Sequence, residues 1–198
     1  MDYLVAVLTL LILAFLYWRM IKREIPDPIK PFQAILPFAL GILSMIIYSP
    51  YILWFITNIA PKISIAEGIH PFFRGMFSAF LMAGFPEEVL KLIFILITLA
   101  VLRSKVRNVY EYILIGAAVG AGFTVAEEWL YADKFGITTL IMRTMSVAGH
   151  MSFNMVMAEY LGLSRVARSR VRYGTRRISL PGKGRGSKRR TQQGIHSR

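Results

Sequence analysis

Three short runs carry side chains whose chemistry is foreign to their surroundings. Glu87-Glu88-Val89-Leu90-Lys91 puts two carboxylates and an ammonium between two runs, Phe72 to Phe85 and Leu92 to Leu102, that read as membrane sequence. Phe123-Thr124-Val125-Ala126-Glu127-Glu128 adds a second acidic doublet, and His150-Met151-Ser152-Phe153-Asn154 adds an imidazole and a carboxamide. In a membrane segment each ionisable group is costly unless it is paired, protonated or facing a wet cavity, so such a cluster points to function. Helical spacing then makes faces. Glu87 and Lys91 are i,i+4 and Glu88 and Lys91 are i,i+3, so Lys91 can pair with either; Phe123 with Glu127, and His150 with Asn154, are also i,i+4.

Three chemistries fit this set. In the first, a glutamate activates water while His150 and Asn154 bind the oxyanion or shuttle a proton, which is general acid–base hydrolysis. In the second, Glu87, Glu127 and His150 hold a divalent metal such as zinc that generates the nucleophile. No HExxH helix is present. In the third, the charges are structural or form the proton path of an ion-coupled transporter. A transporter would want two facing repeats with broken helices, and the sequence has one such break, at Gly84-Pro86.

The elements that must position these groups are membrane spans. The chain has 198 residues, 55% of them hydrophobic, and a mean hydropathy of +0.51, the composition of a polytopic membrane protein. It has no cysteine, which excludes disulfides, thiolate catalysis and cysteine-held metal. The apolar run Tyr3 to Trp18 follows Met1-Asp2 and precedes Arg19, Lys22 and Arg23. That is the order of an N-out anchor, the reverse of a signal peptide. After a linker broken by Pro26, Pro28 and Pro31, a second span is expected from about Phe32 to Ile59, tilted or bent near Pro50. Tyr48, Tyr51 and Trp54 read as an aromatic belt at its far end, followed by a loop from Pro61 to His70.

Pro71 to Leu102 is too long for one span, about 48 Å of helix against a core of about 30 Å. Gly84 and Pro86 predict a break there, giving a short re-entrant or interfacial helix from about Phe72 to Ala83 and a span from about Pro86 to Leu102. Pro86 then stands in the first turn, with the glutamates at the positive end of the helix dipole. Tyr112 to Tyr131 is the fourth span, with Gly116, Gly120 and Ala121-Gly122 allowing close contact; Asp133 and Lys134 mark a turn. The fifth runs from about Ile137 to Leu163.

The expected fold is therefore all-α, a membrane bundle of about five transmembrane helices plus the short one. The membrane domain covers 1–164, with its motif-bearing core at 72–163, and a basic, disordered tail covers 165–198. The net charge of +13 is concentrated: half of the 24 Lys and Arg lie from Arg165 onward. Basic segments 19–30, 103–107 and 165–198 share one side of a five-span chain, which predicts N-out, C-in topology in the plasma membrane. Counted from the inner ends of their spans, Glu88, Glu127 and His150 all lie roughly 20–23 Å up, in the outer half of the bilayer. The tail is expected to meet anionic lipid rather than nucleic acid. Leu180-Pro181-Gly182-Lys183-Gly184 lacks the spacing of a P-loop.

With the motifs in that order, the chain resembles the PrsW family of intramembrane proteases, within the CAAX-protease and bacteriocin-processing superfamily. That superfamily shows Glu-Glu-x-x-Lys/Arg, then Phe-x-x-x-Glu/His, then His with Asn or Asp at i+4. Here these read Glu87-Glu88-Val89-Leu90-Lys91, Phe123 to Glu127, and His150 to Asn154. Glutamate in the second motif favours the PrsW branch over the prenyl-protein branch. The resemblance implies proteolysis of a membrane-anchored substrate, such as an anti-sigma factor cut on its extracytoplasmic side. Relatives commonly carry Asn where this chain has Glu128. The superfamily is also similar to the non-proteolytic scaffold subunit of gamma-secretase, so a non-catalytic scaffold is the alternative.

Single residues divide as follows. Adjacent side chains point about 100° apart, so one of Glu87 and Glu88 faces the reacting water; Glu87 is read as the base and Glu88 as its support. Glu127, His150 and Asn154 complete the catalytic set. Lys91 reads as a counter-ion, Phe123 as packing, and Glu128 as a further ligand, a base or a group facing away. Arg143 reads as snorkelling, and His70 and His196 have no assigned role.

Overall fold

The computed structural model describes residues 3–23, 29–64, 68–135 and 149–168. The chain divides into two units, Met1–Ser164 and Arg165–Arg198. The first is all-helical over its described residues: α1 (Tyr3–Lys22), α2 (Pro31–Asn58), α3 (Ala60–Ser64), α4 (Pro71–Ala79), a π-helical turn (Phe80–Gly84), α5 (Phe85–Val101), α6 (Val109–Phe135) and α7 (149–164). The short helix α3 occupies the predicted Pro61 to His70 loop, and α6 runs through Asp133 and Lys134, where a turn was expected. The start of the fifth predicted span, 137–148, and Arg143 with it, lies outside the described residues. In the second unit 165–168 are helical rather than disordered, and the rest of the predicted tail is outside the described residues.

Among the described residues two helices, Pro31–Asn58 and Val109–Tyr131, are long and apolar enough to cross a membrane. They differ in surroundings: 72% of the apolar window of α6 is buried, against 28% of that of α2. So α6 is the hub. It packs on α1, α2 and α5, and its small residues let backbones touch. A Cβ at Gly122 would overlap the carbonyl oxygen of Phe38 in α2, and one at Gly120 would stand 2.7 Å from the carbonyl oxygen of His150 in α7. This is how an apolar chain without large interlocking side chains brings α7 against α6. The outward faces carry Phe15, Ile35, Leu53, Phe72, Phe85 and Tyr160, all more than half exposed or nearly so, as expected of surface that lipid covers.

Polar groups along the helices answer to their own backbone. Ser44, Thr98 and Thr124 donate to carbonyls three or four residues back. Asn108 caps α6 by accepting from the Glu111 amide at 3.0 Å, and buried Glu111 is held by Arg107. Nδ1 of His70, which the sequence left without a role, accepts from the Phe72 amide and caps α4.

The prolines do not end the helices that contain them. Helix α2 continues through Pro37 and Pro50. The carbonyl that Pro50 cannot serve, that of Ile46, accepts the Ser49 hydroxyl at 3.0 Å, a substitution that membrane helices use to tolerate proline. The predicted break at Gly84-Pro86 takes the form of a π turn that ends at Gly84, with α5 starting at Phe85 and Pro86 in its first turn, and the chain stays helical throughout. Gly84 is right-handed helical (φ −57°, ψ −58°), and the Phe85 amide donates to the Phe80 carbonyl, five residues back. In that register the partner Pro86 lacks is the carbonyl of Leu81, and the Tyr51 hydroxyl donates to it at 2.8 Å. A π turn thus absorbs the missing N–H without ending the helix. Glu87 and Glu88 stand in the first turn of α5, as expected, and the helical turn before them takes up amides that an isolated helix start would leave free.

Candidate active site

Each functional side chain comes from the inward stripe of its helix. On α5 the buried residues Glu87, Lys91, Phe94, Ile95 and Thr98 repeat at helical spacing. The wide middle of α6 is buried on all sides, which turns both Glu127 and Glu128 inward. On α7 the buried line is Met151, Asn154 and Ala158, with His150 partly covered at its start.

Lys91 is the centre of the charge network. Its side chain is 0% exposed, with Nζ 2.8 Å from Oε1 of Glu88, 3.5 Å from Oε2 of Glu87 and 2.7 Å from Nδ1 of His150. The same ammonium lies 3.9 Å from the centroid of the Phe123 ring, a cation–π contact that replaces water on its remaining side. Phe123 also packs against the His150 ring at 5.3 Å, so it lines the site as well as the core. On its other side the imidazole presents Nε2 to Oε2 of Glu127 at 3.1 Å.

One oxygen of Glu87, one of Glu127 and one nitrogen of His150 all lie within 4.8 Å of one another. They come from three helices and offer two hard oxygens and an imidazole, a donor set suited to zinc with an open coordination position. Charge bookkeeping points the same way. Glu87, Glu88 and Glu127 against the single ammonium of Lys91 leave two negative charges in a poorly solvated place, which a divalent cation would balance. The residues therefore fit a metal.

Glu88 and His150 open onto a groove of about 720 Å³ between the π turn and α7. Its walls are apolar, with Phe80 and Ala83 on one side and Phe153, Val156 and Met157 on the other, and Glu87 and Glu88 reach into it. A hydrophobic peptide segment entering there would meet the carboxylates along its path.

Of the residues singled out from sequence, Glu87, Glu88, Lys91, Glu127, His150 and Phe123 come together. Asn154 does not join the charged group. It is fully buried, and its Nδ2 donates to the His150 carbonyl at 2.7 Å, stiffening the turn that presents the imidazole. Glu128 is also fully buried and lies outside the three-donor group. Two residues read as an interfacial belt belong to the interior. Tyr51 holds the π turn, and Tyr48 packs on Phe123 with ring centroids 6.3 Å apart; Trp54 alone of the three is half exposed. The signal for Tyr48 lay in the Gly41, Ser44, Met45, Tyr48 spacing, which is one helix face.

A protein-family model described as PrsW family intramembrane metalloprotease matches residues 31–184. Protease PrsW of Bacillus subtilis (strain 168) is 32% identical over 108 residues, 53% of this chain and 49% of that protein. The chain thus spans about half the length of this curated relative. No solved structure matches it significantly.

Proposed function

Because the chain belongs to the PrsW family of intramembrane metalloproteases, we propose that it is a membrane endopeptidase that hydrolyses a peptide bond of a membrane-anchored protein near the outer leaflet. The observation that carries this reading is the convergence of Glu87, Glu127 and His150 from three helices, two of them, Glu87 and His150, lining an apolar groove. Hydrolysis needs a polarised carbonyl, a base and a dry, shaped approach, and these residues supply each.

The groove would bind the substrate segment, with Phe80, Phe153 and Val156 against its apolar side chains. Glu87, Glu127 and His150 would hold a divalent metal such as zinc, which when bound supplies Lewis acidity. Glu88 is then the better base than Glu87, against the preference drawn from sequence. Both glutamates line the groove, and with Glu87 given to the metal Glu88 is left to take the proton; Lys91 fixes one of its oxygens at 2.8 Å, and the other is buried without a hydrogen bond, so water would reach it as the groove fills. Water loses a proton to that oxygen as its own oxygen attacks the carbonyl carbon. The proton then passes to the amide nitrogen as the C–N bond breaks. Lys91 keeps Glu88 in place, and Asn154 stiffens the turn bearing His150.

Around this chemistry we place five spans with the N-terminus outside and the C-terminus inside the plasma membrane, and a position within the wider CAAX-protease and bacteriocin-processing superfamily. The order of basic segments and the shared depth of the motifs support both the topology and the outward-facing site. An anti-sigma-factor-like, single-span protein is the proposed substrate class, and the tail from Arg165 is proposed to lie on anionic lipid. The alternative, a non-catalytic scaffold of the same fold, gives no account of two carboxylates and an imidazole lining one groove with a third carboxylate behind them.

The deciding experiment replaces Glu87 and Glu127 by Gln, and His150 by Ala, one at a time, and follows cleavage of a tagged single-span substrate in proteoliposomes. Loss of cleavage in each variant is expected. Cleavage by all three at the wild-type rate would sink the mechanism, and a wild type that cuts no membrane-proximal substrate would favour the scaffold.

A further inference from the structure

The site holds a hydroxyl that packing alone does not explain. Tyr48 is 3% exposed, and its oxygen is buried without a hydrogen-bond partner. Such a group is expensive, and a phenylalanine would fill the same space without the cost. Three residues further along α2, the Tyr51 hydroxyl is placed on a carbonyl 2.8 Å away. Tyr48 is thus a specific exception, and its location tells why. Its ring lies 6.3 Å from that of Phe123, whose own ring touches His150 and Lys91.

Attack on a peptide carbonyl moves negative charge onto the carbonyl oxygen. A bound metal would take up part of that charge, and a hydrogen-bond donor beside it would stabilise the rest. The other donors of the cluster are committed. Lys91 serves Glu88 and His150, Nε2 of His150 faces Glu127, and Nδ2 of Asn154 serves the His150 carbonyl. The Tyr48 hydroxyl has no acceptor until a substrate arrives, and Met45, Tyr51 and Phe123 fix its ring. A rigid neutral donor waiting for developing charge is the arrangement that lowers a barrier most. We propose that Tyr48 is a catalytic residue that donates its phenolic hydroxyl to the carbonyl oxygen of the scissile peptide, a role that rests on the peptidase reading above.

The test is Tyr48→Phe, which removes one oxygen, in the full-length protein in proteoliposomes. Cleavage of the single-span substrate and thermal unfolding are both measured, beside Glu127→Gln. The expected result is a kcat lower by about 100-fold, a KM within about twofold of wild type, and a melting temperature unchanged or raised. Wild-type kcat in Tyr48→Phe, with Glu127→Gln inactive, overturns the role of Tyr48 and leaves the peptidase reading standing. A change in KM alone, or a fall in melting temperature along with activity, overturns it too, since the hydroxyl would then be serving substrate fit or folding. A wild type that does not cleave, or a Glu127→Gln that cleaves normally, removes the peptidase reading and this inference with it.

Discussion

Lys91 and His150 stand 59 positions apart in sequence and 2.7 Å apart in space. The ammonium joins α5 to α7 and also neutralises part of the charge of Glu87 and Glu88. Two helices that present the site are thus locked by the group that makes its acidity tolerable.

Lys91→Met should therefore destabilise the fold by more than the loss of one contact. It leaves Glu88 and Glu87 without a counter-ion in a buried place, for which about 3–5 kcal/mol is typical. Lys91→Arg should rescue only partly, because a side chain with 0% exposure has no room for a guanidinium fork. Thermal unfolding in detergent reads both. An unshifted melting temperature in Lys91→Met would mean that the carboxylates are already protonated without it.

How far the sequence foretold this arrangement depends on what each residue answers to. The charged motifs were legible because carboxylates in apolar sequence are costly enough to demand company, and Glu87, Glu127 and His150 do converge. The π turn was not. Nothing in Phe80-Leu81-Met82-Ala83-Gly84 differs locally from α-helix, and Pro86 reads as a stop until a tertiary donor, Tyr51, covers the carbonyl it abandons. Tyr48 was misplaced for a related reason. An aromatic residue near a span end suits a belt, and only the approach of Phe123 from α6 makes it interior. Asn154 bonds its own helix through Nδ2, an option open to any carboxamide at i+4 from another residue, while its Oδ1 stays buried without a hydrogen bond.

Tyr51→Phe tests that account of the π turn. The substitution orphans the Leu81 carbonyl, which Pro86 cannot serve, and should cost about 1–3 kcal/mol. Tyr48→Phe, by contrast, removes an unpaired hydroxyl and should cost nothing in stability. Comparing the two melting temperatures in one detergent decides it. Equal values would show that the Leu81 carbonyl finds another donor.

Metal content gives a readout independent of turnover. Protein purified without chelator should carry about one divalent ion per chain, measured by elemental analysis after exhaustive washing. Glu127→Gln and His150→Ala should lose most of it, while Phe153→Ala should keep it. Removing the ion with a chelator should lower the melting temperature, because a ligand bound only by the folded state stabilises it by mass action. It should also end cleavage until a divalent ion is returned. Full activity after complete chelation would move the chemistry to glutamate and water alone.

The groove makes the last prediction, which separates recognition from chemistry. Phe153 and Val156 are 65% and 50% exposed on α7 and line the approach to Glu88. Neither belongs to the buried core, so truncating or enlarging them should leave stability within about 0.5 kcal/mol. Their effect should fall on substrate binding. Val156→Trp would fill part of the roughly 720 Å³ of space and should raise KM about tenfold or more, the equivalent of about 1.4 kcal/mol. Phe153→Ala removes apolar contact and should raise KM by a smaller factor with kcat nearly unchanged, the pattern of lost uniform binding. Kinetics on one single-span substrate, together with metal content, provide the check. If both variants kept the wild-type KM, the substrate would have to reach Glu88 by another route, and α7 would lose its place as the recognition wall.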